Sequence, residues 1–363
     1  MMASEKAFEV ASEAASEDTI LMNEDYEIIK QYWFPRSETF KSLIEIQNLV
    51  RENPEADEHF QRLRESTITV TPEQQRYFFR MMMKIGSEMQ AKENIIPPPA
   101  RTINLRALDI CMAPGGYSAT VFKFNRYAEI RGLSLPPEDG GHEMHLRNWQ
   151  EDKRVKIEFV DVTMLSSALG YPKLVPADHP HAAKFSNQVP FKNETFDIVF
   201  CDGIVLYSHA RAQETVCESS RLTSAQLIIA MQRLKPGGTL VMLLHQVYSP
   251  ATVRILAAFN KFANISLFKP TVSHRNRSSF YLIAKNVEPA SGEGQIFLKN
   301  HQIKWMRQTA ESFDLEVPED EFEEDEEPMD EIMDTFGDEL LQLSEPLWEI
   351  QIEAMKKLFF AEK

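Results

Sequence analysis

Three cysteines in 363 residues, at positions 111, 201 and 217, are too few and too scattered for a disulfide framework or a zinc knuckle. Cys111 and Cys201 lie in strand-like apolar runs and read as buried thiols, which points to a reducing compartment, cytoplasmic or nuclear. No run of 18 apolar residues occurs, so no membrane span is expected. Residues 1–18 are a polar mixture without the basic region and apolar core of a secretory signal. Two nucleotide fingerprints are also missing. There is no G-x-G-x-x-G to cradle a dinucleotide, and no Gly-Lys-Ser/Thr ending of a phosphate-binding loop. The histidines at 142, 145, 179 and 181 lack metal-ligand spacing, and the acidic run near the C-terminus lacks that of a calcium loop.

What the chain does have is Leu108-Asp109-Ile110-Cys111-Met112-Ala113-Pro114-Gly115-Gly116-Tyr117-Ser118. An apolar strand runs into an acid, and a small, glycine-containing turn then opens a helix. Backbone N–H groups can approach a ligand closely there, under the positive end of the helix. Without a pyrophosphate cradle, this loop suits S-adenosylmethionine, whose polar ends need an acid and close backbone. Asp109, Cys111, Ala113, Pro114, Gly115, Gly116, Tyr117 and Ser118 are its candidate cofactor-binding residues.

The chain divides by pattern into five parts. Residues 1–22 are polar and expected to be disordered, and residues 23–98 show helical spacing of apolar side chains. Pro97-Pro98-Pro99 marks a boundary, after which strands and helices alternate through residues 99–287. Residues 288–340 read as an acidic, largely disordered tail, and 341–363 as an amphipathic helix. In the Tyr77–Met83 segment the three methionines read as core filling. The alternation predicts an α/β fold, a Rossmann-like, mostly parallel sheet with one antiparallel edge strand beside the fifth. Against the −16 net charge of the chain, residues 96–287 are +7: 15 acids face 22 bases there, against 18 to 11 before and 22 to 6 after. A basic centre tolerates a polyanionic partner. The acidic tail reads as a solubilising linker, with competition for that basic face as the alternative, and the flanking helices are candidate protein contacts.

In an open parallel sheet, ligands bind beyond the carboxyl ends of the strands. Four consecutive predicted strands end in acids: Asp109, then Glu138 or Asp139, then Asp161, then Asp202. Asp109 would organise the loop and the cofactor's ammonium, Glu138 the ribose hydroxyls and Asp161 the adenine amine. Asp202 would face the transferable methyl group.

The Asp-Ile-Cys-Met-Ala-Pro-Gly-Gly-Tyr-Ser element, Phe196-Asp197-Ile198-Val199-Phe200-Cys201-Asp202-Gly203 and Leu234-Lys235-Pro236-Gly237-Gly238-Thr239 together resemble the FtsJ-like RNA ribose 2′-O-methyltransferases. The resemblance covers roughly residues 105–286, and Ser273 to Ser279 is similar to that family's basic Ser/Arg segment. It implies S-adenosylmethionine as cofactor, RNA as partner and a catalytic Lys-Asp-Lys-Glu tetrad. Asp202 matches the aspartate, and Lys84 stands for the first lysine. The second lysine falls on Leu243 and the glutamate on Ser279. His245, two residues beyond Leu243, is the candidate replacement base, because a ribose hydroxyl needs a proton acceptor. A degenerate cofactor- or RNA-binding module, and a methyltransferase redirected to a small molecule or protein, are the alternatives that the two changed positions leave open.

Overall fold

The computed structural model describes residues 24–53, 71–99, 104–205, 217–316 and 326–359; the expected disordered segment 1–22 lies outside them. Seven strands form one sheet: β1 (Arg106–Ile110), β2 (Glu129–Ser134), β3 (Val155–Phe159), β4 (Phe196–Cys201), β5 (Leu234–His245), β6 (Asn264–Phe268) and β7 (Ser279–Val287). Their order is β3-β2-β1-β4-β5-β7-β6. The first five run parallel, and β7 alone is reversed, lying antiparallel beside β5 with β6 beyond it.

Among the described residues eight α-helices surround the sheet: α1 (Glu24–Trp33), α2 (Glu38–Arg51), α3 (Pro72–Glu93), α4 (Gly116–Phe124), α5 (Glu218–Arg233), α6 (Pro250–Phe262), α7 (Gly292–Phe313) and α8 (Met329–Phe359). Local chemistry explains their starts. Thr71 and Gln74 cap α3 reciprocally, each side chain accepting from the other's backbone N–H at 3.3 and 2.7 Å, with Pro72 in the first turn. Ser249 and Ser291 cap α6 and α7 in the same one-sided way, accepting from Thr252 and Gly294.

The central strands are buried on both faces, as parallel strands must be. Along β4, Val199 and Cys201 enter one core while Ile198 and Phe200 enter the other. The smaller core lies under α3 and α4, which pack on each other. α3 therefore belongs with the sheet, although the three prolines separate it from β1 in sequence. The larger core lies under α5 and α6, with α7 packed on both, and α8 joins α1 and α2 to α6 and to strand β6.

The segment expected to be a disordered acidic tail is instead mostly helix. α7 packs on α5 and α6 and buries Phe297, Ile303, Trp305 and Met306. α8 begins at Met329 and continues through residue 341, the expected helix start, to Phe359. Its Met329, Ile332, Met333, Phe336, Leu340 and Leu347 are buried, at helical spacing. Composition concealed that stripe, because the acids sit between the apolar residues rather than in place of them. α8 closes on the N-terminal helices: Trp33 lies edge-on to Trp348 at 5.4 Å, and its indole N–H donates to the Gly337 carbonyl at 3.0 Å. Part of the acidic charge is paired locally, Asp25 and Glu326 with Arg254 and Glu327 with Lys261.

Candidate cofactor and acceptor cavity

The loops after β1, β2, β3 and β4 open onto one cavity, whose far wall is a stripe of α3: Phe78, Met81, Met82 and Ile85. That spacing of three and four residues is one helix face. Met81 and Met82, read from sequence as core filling, thus also face the cavity.

The loop after β1 is shaped by backbone. Cys111 is left-handed at φ 63°, the Ala113–Pro114 peptide is cis, and Gly115 sits at φ 95° immediately before α4. A Cβ on Gly116 would meet the Met82 Cβ at 2.4 Å and the Phe79 carbonyl oxygen at 2.7 Å. Only glycine lets α4 start this close to α3. Cys111, Ala113 and Pro114 line the cavity, while Asp109, Tyr117 and Ser118 are buried behind the loop. Asp109 accepts from the Ser118 hydroxyl at 2.6 Å, and burial pushes its pKa up to about 7.

Asp161 and Asp202 both reach the cavity wall. Asp161 caps the short 3₁₀ turn that follows β3, accepting from the Thr163 N–H at 2.9 Å and its hydroxyl at 2.7 Å. Asp202 is half-buried at the end of β4 and accepts from the Tyr281 hydroxyl at 3.1 Å. Burial pushes its pKa up to about 8; the Tyr281 hydrogen bond opposes the rise and the neighbouring Asp109 adds to it. Buried Gln226 fixes the turn beyond Asp202, accepting from the Gly203 N–H at 2.8 Å and donating to its carbonyl at 3.1 Å.

Three expected residues are elsewhere. Glu138 is exposed in the 3₁₀ turn Pro137–Asp139, and Ser134, Leu135, Gly140, Gly141 and His142 line the cavity in its place. The turn carries the acid outward before Gly140, at φ 96°, brings the chain back. Lys84 is exposed on α3, off the stripe formed by residues 78, 81, 82 and 85. His245 ends β5 beyond the cavity lining, opposite Ser279, and its carbonyl accepts from the Thr252 hydroxyl at 2.8 Å. Leu243 itself faces the cavity, opposite Tyr281.

Several lining residues escaped the sequence reading. Tyr281 bonds both Asp202 and the buried Tyr117 hydroxyl, the latter at 2.6 Å, and Tyr117 stacks on Phe200 at 5.4 Å. Strand alternation was the available signal, since Tyr281 is two residues from the tetrad position at Ser279. Glu218 lines the cavity from the first turn of α5. Its partner is the fully buried Arg221, at 2.5 Å, which also donates to the Thr163 carbonyl and to the Thr309 hydroxyl on α7. The Trp305 indole donates to the same Thr163 carbonyl at 3.0 Å. α7 thereby holds the loop after β3.

Among the described residues the lining holds the carboxylates of Asp161, Asp202 and Glu218, and no lysine or arginine. That charge, with Asp109 behind it, fits the sulfonium and ammonium of S-adenosylmethionine. The basic segment before β7 is engaged within the protein. Arg277 is buried, Arg275 lies 3.7 Å from Glu353 on α8, and buried Lys269 donates to the Arg277 and Ser279 carbonyls. No group of three or more metal-ligating side chains occurs among the described residues, and no described helix is long and apolar enough to cross a membrane.

The family model for FtsJ-like methyltransferases matches residues 80–287, from within α3 to the end of β7. Solved structures with related folds include a Plasmodium falciparum protein described as a ribosomal RNA methyltransferase (16% identity, 55% of this chain and 93% of that one, TM-score 0.37). Others are a Streptococcus thermophilus rRNA methylase (10%, 57% and 95%, 0.33) and human methyltransferase-like protein 13 with S-adenosylhomocysteine (12%, 63% and 90%, 0.33). No curated protein matches the sequence.

Proposed function

Since this chain belongs to the FtsJ-like methyltransferase family, we propose that its acceptor is a ribose 2′-hydroxyl of RNA. It is an S-adenosylmethionine-dependent methyltransferase. The cofactor, when bound, supplies an electrophilic methyl group on a positively charged sulfur. Ala113 and Pro114 offer it close backbone, Asp161 takes the adenine end, and Asp109 holds the loop in shape. One observation carries the ribose reading: Asp202, at the tetrad aspartate's place, shares a cavity with this loop and is oriented by Tyr281. A cation bound beside Asp202 lowers its raised pKa, so the ionised carboxylate can accept a hydrogen bond from the acceptor hydroxyl.

The apolar α3 stripe and Leu243 favour a second reading, an uncharged small-molecule acceptor. One experiment separates them. Purified protein is given labelled S-adenosylmethionine with total RNA or with a small-molecule extract, and Asp202→Ala is the control. The ribose reading expects label in RNA that survives digestion as 2′-O-methylnucleosides. Label in bases, or only in the small-molecule fraction, sinks it.

A further inference from the structure

The strand order divides the cavity. The loops after β1, β2 and β3, which fit the cofactor, lie on one side of Asp202; β5, β7 and the β6–β7 connection lie on the other. An acceptor must approach from that second side, where the tetrad's ionisable positions have become Leu243 and Ser279. Among the described residues, one nitrogen base in the lining stands there: His274, in the β6–β7 connection. The other lining histidine, His142, follows β2 on the cofactor side.

His274 is held deliberately. Its backbone is left-handed at φ 59°, a conformation that few residues other than glycine adopt and that persists only where surroundings enforce it. Those surroundings are named. Glu88 on α3 accepts from the Thr271 N–H at 2.9 Å and the Thr271 hydroxyl at 2.6 Å. Lys269 ties the two ends of the loop through the Arg277 and Ser279 carbonyls, and Glu353 of α8 faces Arg275. The imidazole Nε2 lies 3.2 Å from the Met81 sulfur, against the acceptor-side wall.

We propose that His274 is the proton acceptor for methyl transfer, in place of the missing lysine. His274 takes the proton of the acceptor O–H as that oxygen bonds to the methyl carbon. The carbon–sulfur bond breaks, its electron pair stays on sulfur, and the imidazolium then loses its proton to solvent. The inference rests on oxygen methylation at this site, with RNA or a small molecule as acceptor. The titratable groups that share the cavity lining with His274 are Cys111, His142, Asp161, Asp202, Glu218 and Tyr281; Glu88 on α3, Lys269, Arg275 and Arg277 in its loop and Glu353 on α8 belong to the elements that hold that loop.

The test is single-turnover transfer of labelled methyl to total RNA and to a small-molecule extract, from pH 5 to 9. Wild type is compared with His274→Gln and with His274→Asn, which keeps a residue tolerant of left-handed backbone. Both variants should fall about 100-fold and lose the rising limb of the wild-type pH–rate profile. S-adenosylhomocysteine affinity, by calorimetry, should stay within about twofold, which shows that the fold and cofactor site persist. Variants that keep the rate and the limb overturn the proposal and send the proton to Asp202. Wild-type label in the extract but not in RNA overturns only the RNA reading. No wild-type transfer to either pool overturns both.

Discussion

The two halves of the cavity are built by different means. The cofactor half is made of backbone and acids fixed close to strand ends: Ala113, Pro114, Asp161, and Asp109 behind them. The acceptor half is made of side chains from elements far apart in sequence: α3, the ends of β5 and β7, and the β6–β7 connection. The first half is polar, anionic and braced from behind by α7. The second is largely apolar, and its polarity is concentrated in Asp202, Tyr281 and His274. A fold can thus keep its cofactor chemistry nearly fixed while the acceptor side drifts, because the glycine loop tolerates little change and the α3 face tolerates any side chain that fills the space.

The largest effect should come from removing the brace on the cofactor half. Arg221 is fully buried between Glu218, the Thr163 carbonyl and Thr309. Arg221→Ala leaves Glu218 a buried carboxylate without its cation, a loss of about 3–5 kcal/mol. Thermal melting should show a clear drop in Tm, and the double variant Arg221→Met with Glu218→Gln should recover much of it. Equal melting of wild type and Arg221→Ala would mean that the β3 loop does not depend on α7.

Next comes the contact that joins the halves. Gly116→Ala puts a methyl group against the Met82 Cβ and the Phe79 carbonyl, so α3 must shift away from α4. The cost is about 1–3 kcal/mol, and cofactor affinity should fall with it, because the loop opens where α3 recedes. Gly292→Ala, at a glycine with open space around it, is the control and should change neither.

The carboxylates of the two halves should also be visible in pH dependence. Both Asp109 and Asp202 have folded-state pKa values raised above the ordinary carboxylate value of 3.8, to about 7 and about 8. Between these limits the folded protein without cofactor binds more protons than the unfolded chain. Stability is therefore full below about pH 4 and is lost as pH rises toward 8, by at most about 1.4 kcal/mol per unit for each group. Denaturant midpoints from pH 4 to 8 should show the decline, and Asp109→Asn should flatten part of it. S-adenosylmethionine should bind more tightly as pH rises through 7 to 8, and S-adenosylhomocysteine, which keeps the ammonium but lacks the sulfonium, less so. Parallel pH curves for the two ligands would separate the carboxylates from the sulfonium.

What sequence reading recovered follows the same division. The strand-end acids Asp109, Asp161 and Asp202 were legible because β-sheet topology brings strand ends together whatever lies between them. Glu138 was not: a single 3₁₀ turn after β2 was enough to send it to solvent. Lys84 failed on helix phase, one position from the stripe that faces the cavity, and His245 failed because β5 runs past the cavity before it ends. On the acceptor side, Tyr281 meets Asp202, and His274 joins the same cavity lining, only once the reversed β7 is laid against β5. The acidic C-terminal region was misread for a different reason, since its charge total hid the apolar period of α8.

Tyr281→Phe makes the smallest and most local change, and it sharpens the contrast most. It removes one hydroxyl that bonds Asp202 at 3.1 Å and Tyr117 at 2.6 Å, and it keeps the ring that packs near Phe268. Loss of such a bond is worth about 1 kcal/mol, or roughly a fivefold fall in rate. On the cofactor half this hydroxyl touches only Tyr117, behind the loop and off the cavity lining, so S-adenosylhomocysteine affinity should not move. The Tyr281 bond holds the Asp202 pKa down, so removing it should shift any Asp202 limb in the pH–rate profile to higher pH. A fall in kcat with unchanged KM and a displaced limb would place Tyr281 as the group that orients Asp202. An equal fall in cofactor affinity would instead mean that the two halves of the cavity are coupled through Tyr117, whose helix begins at the glycine loop.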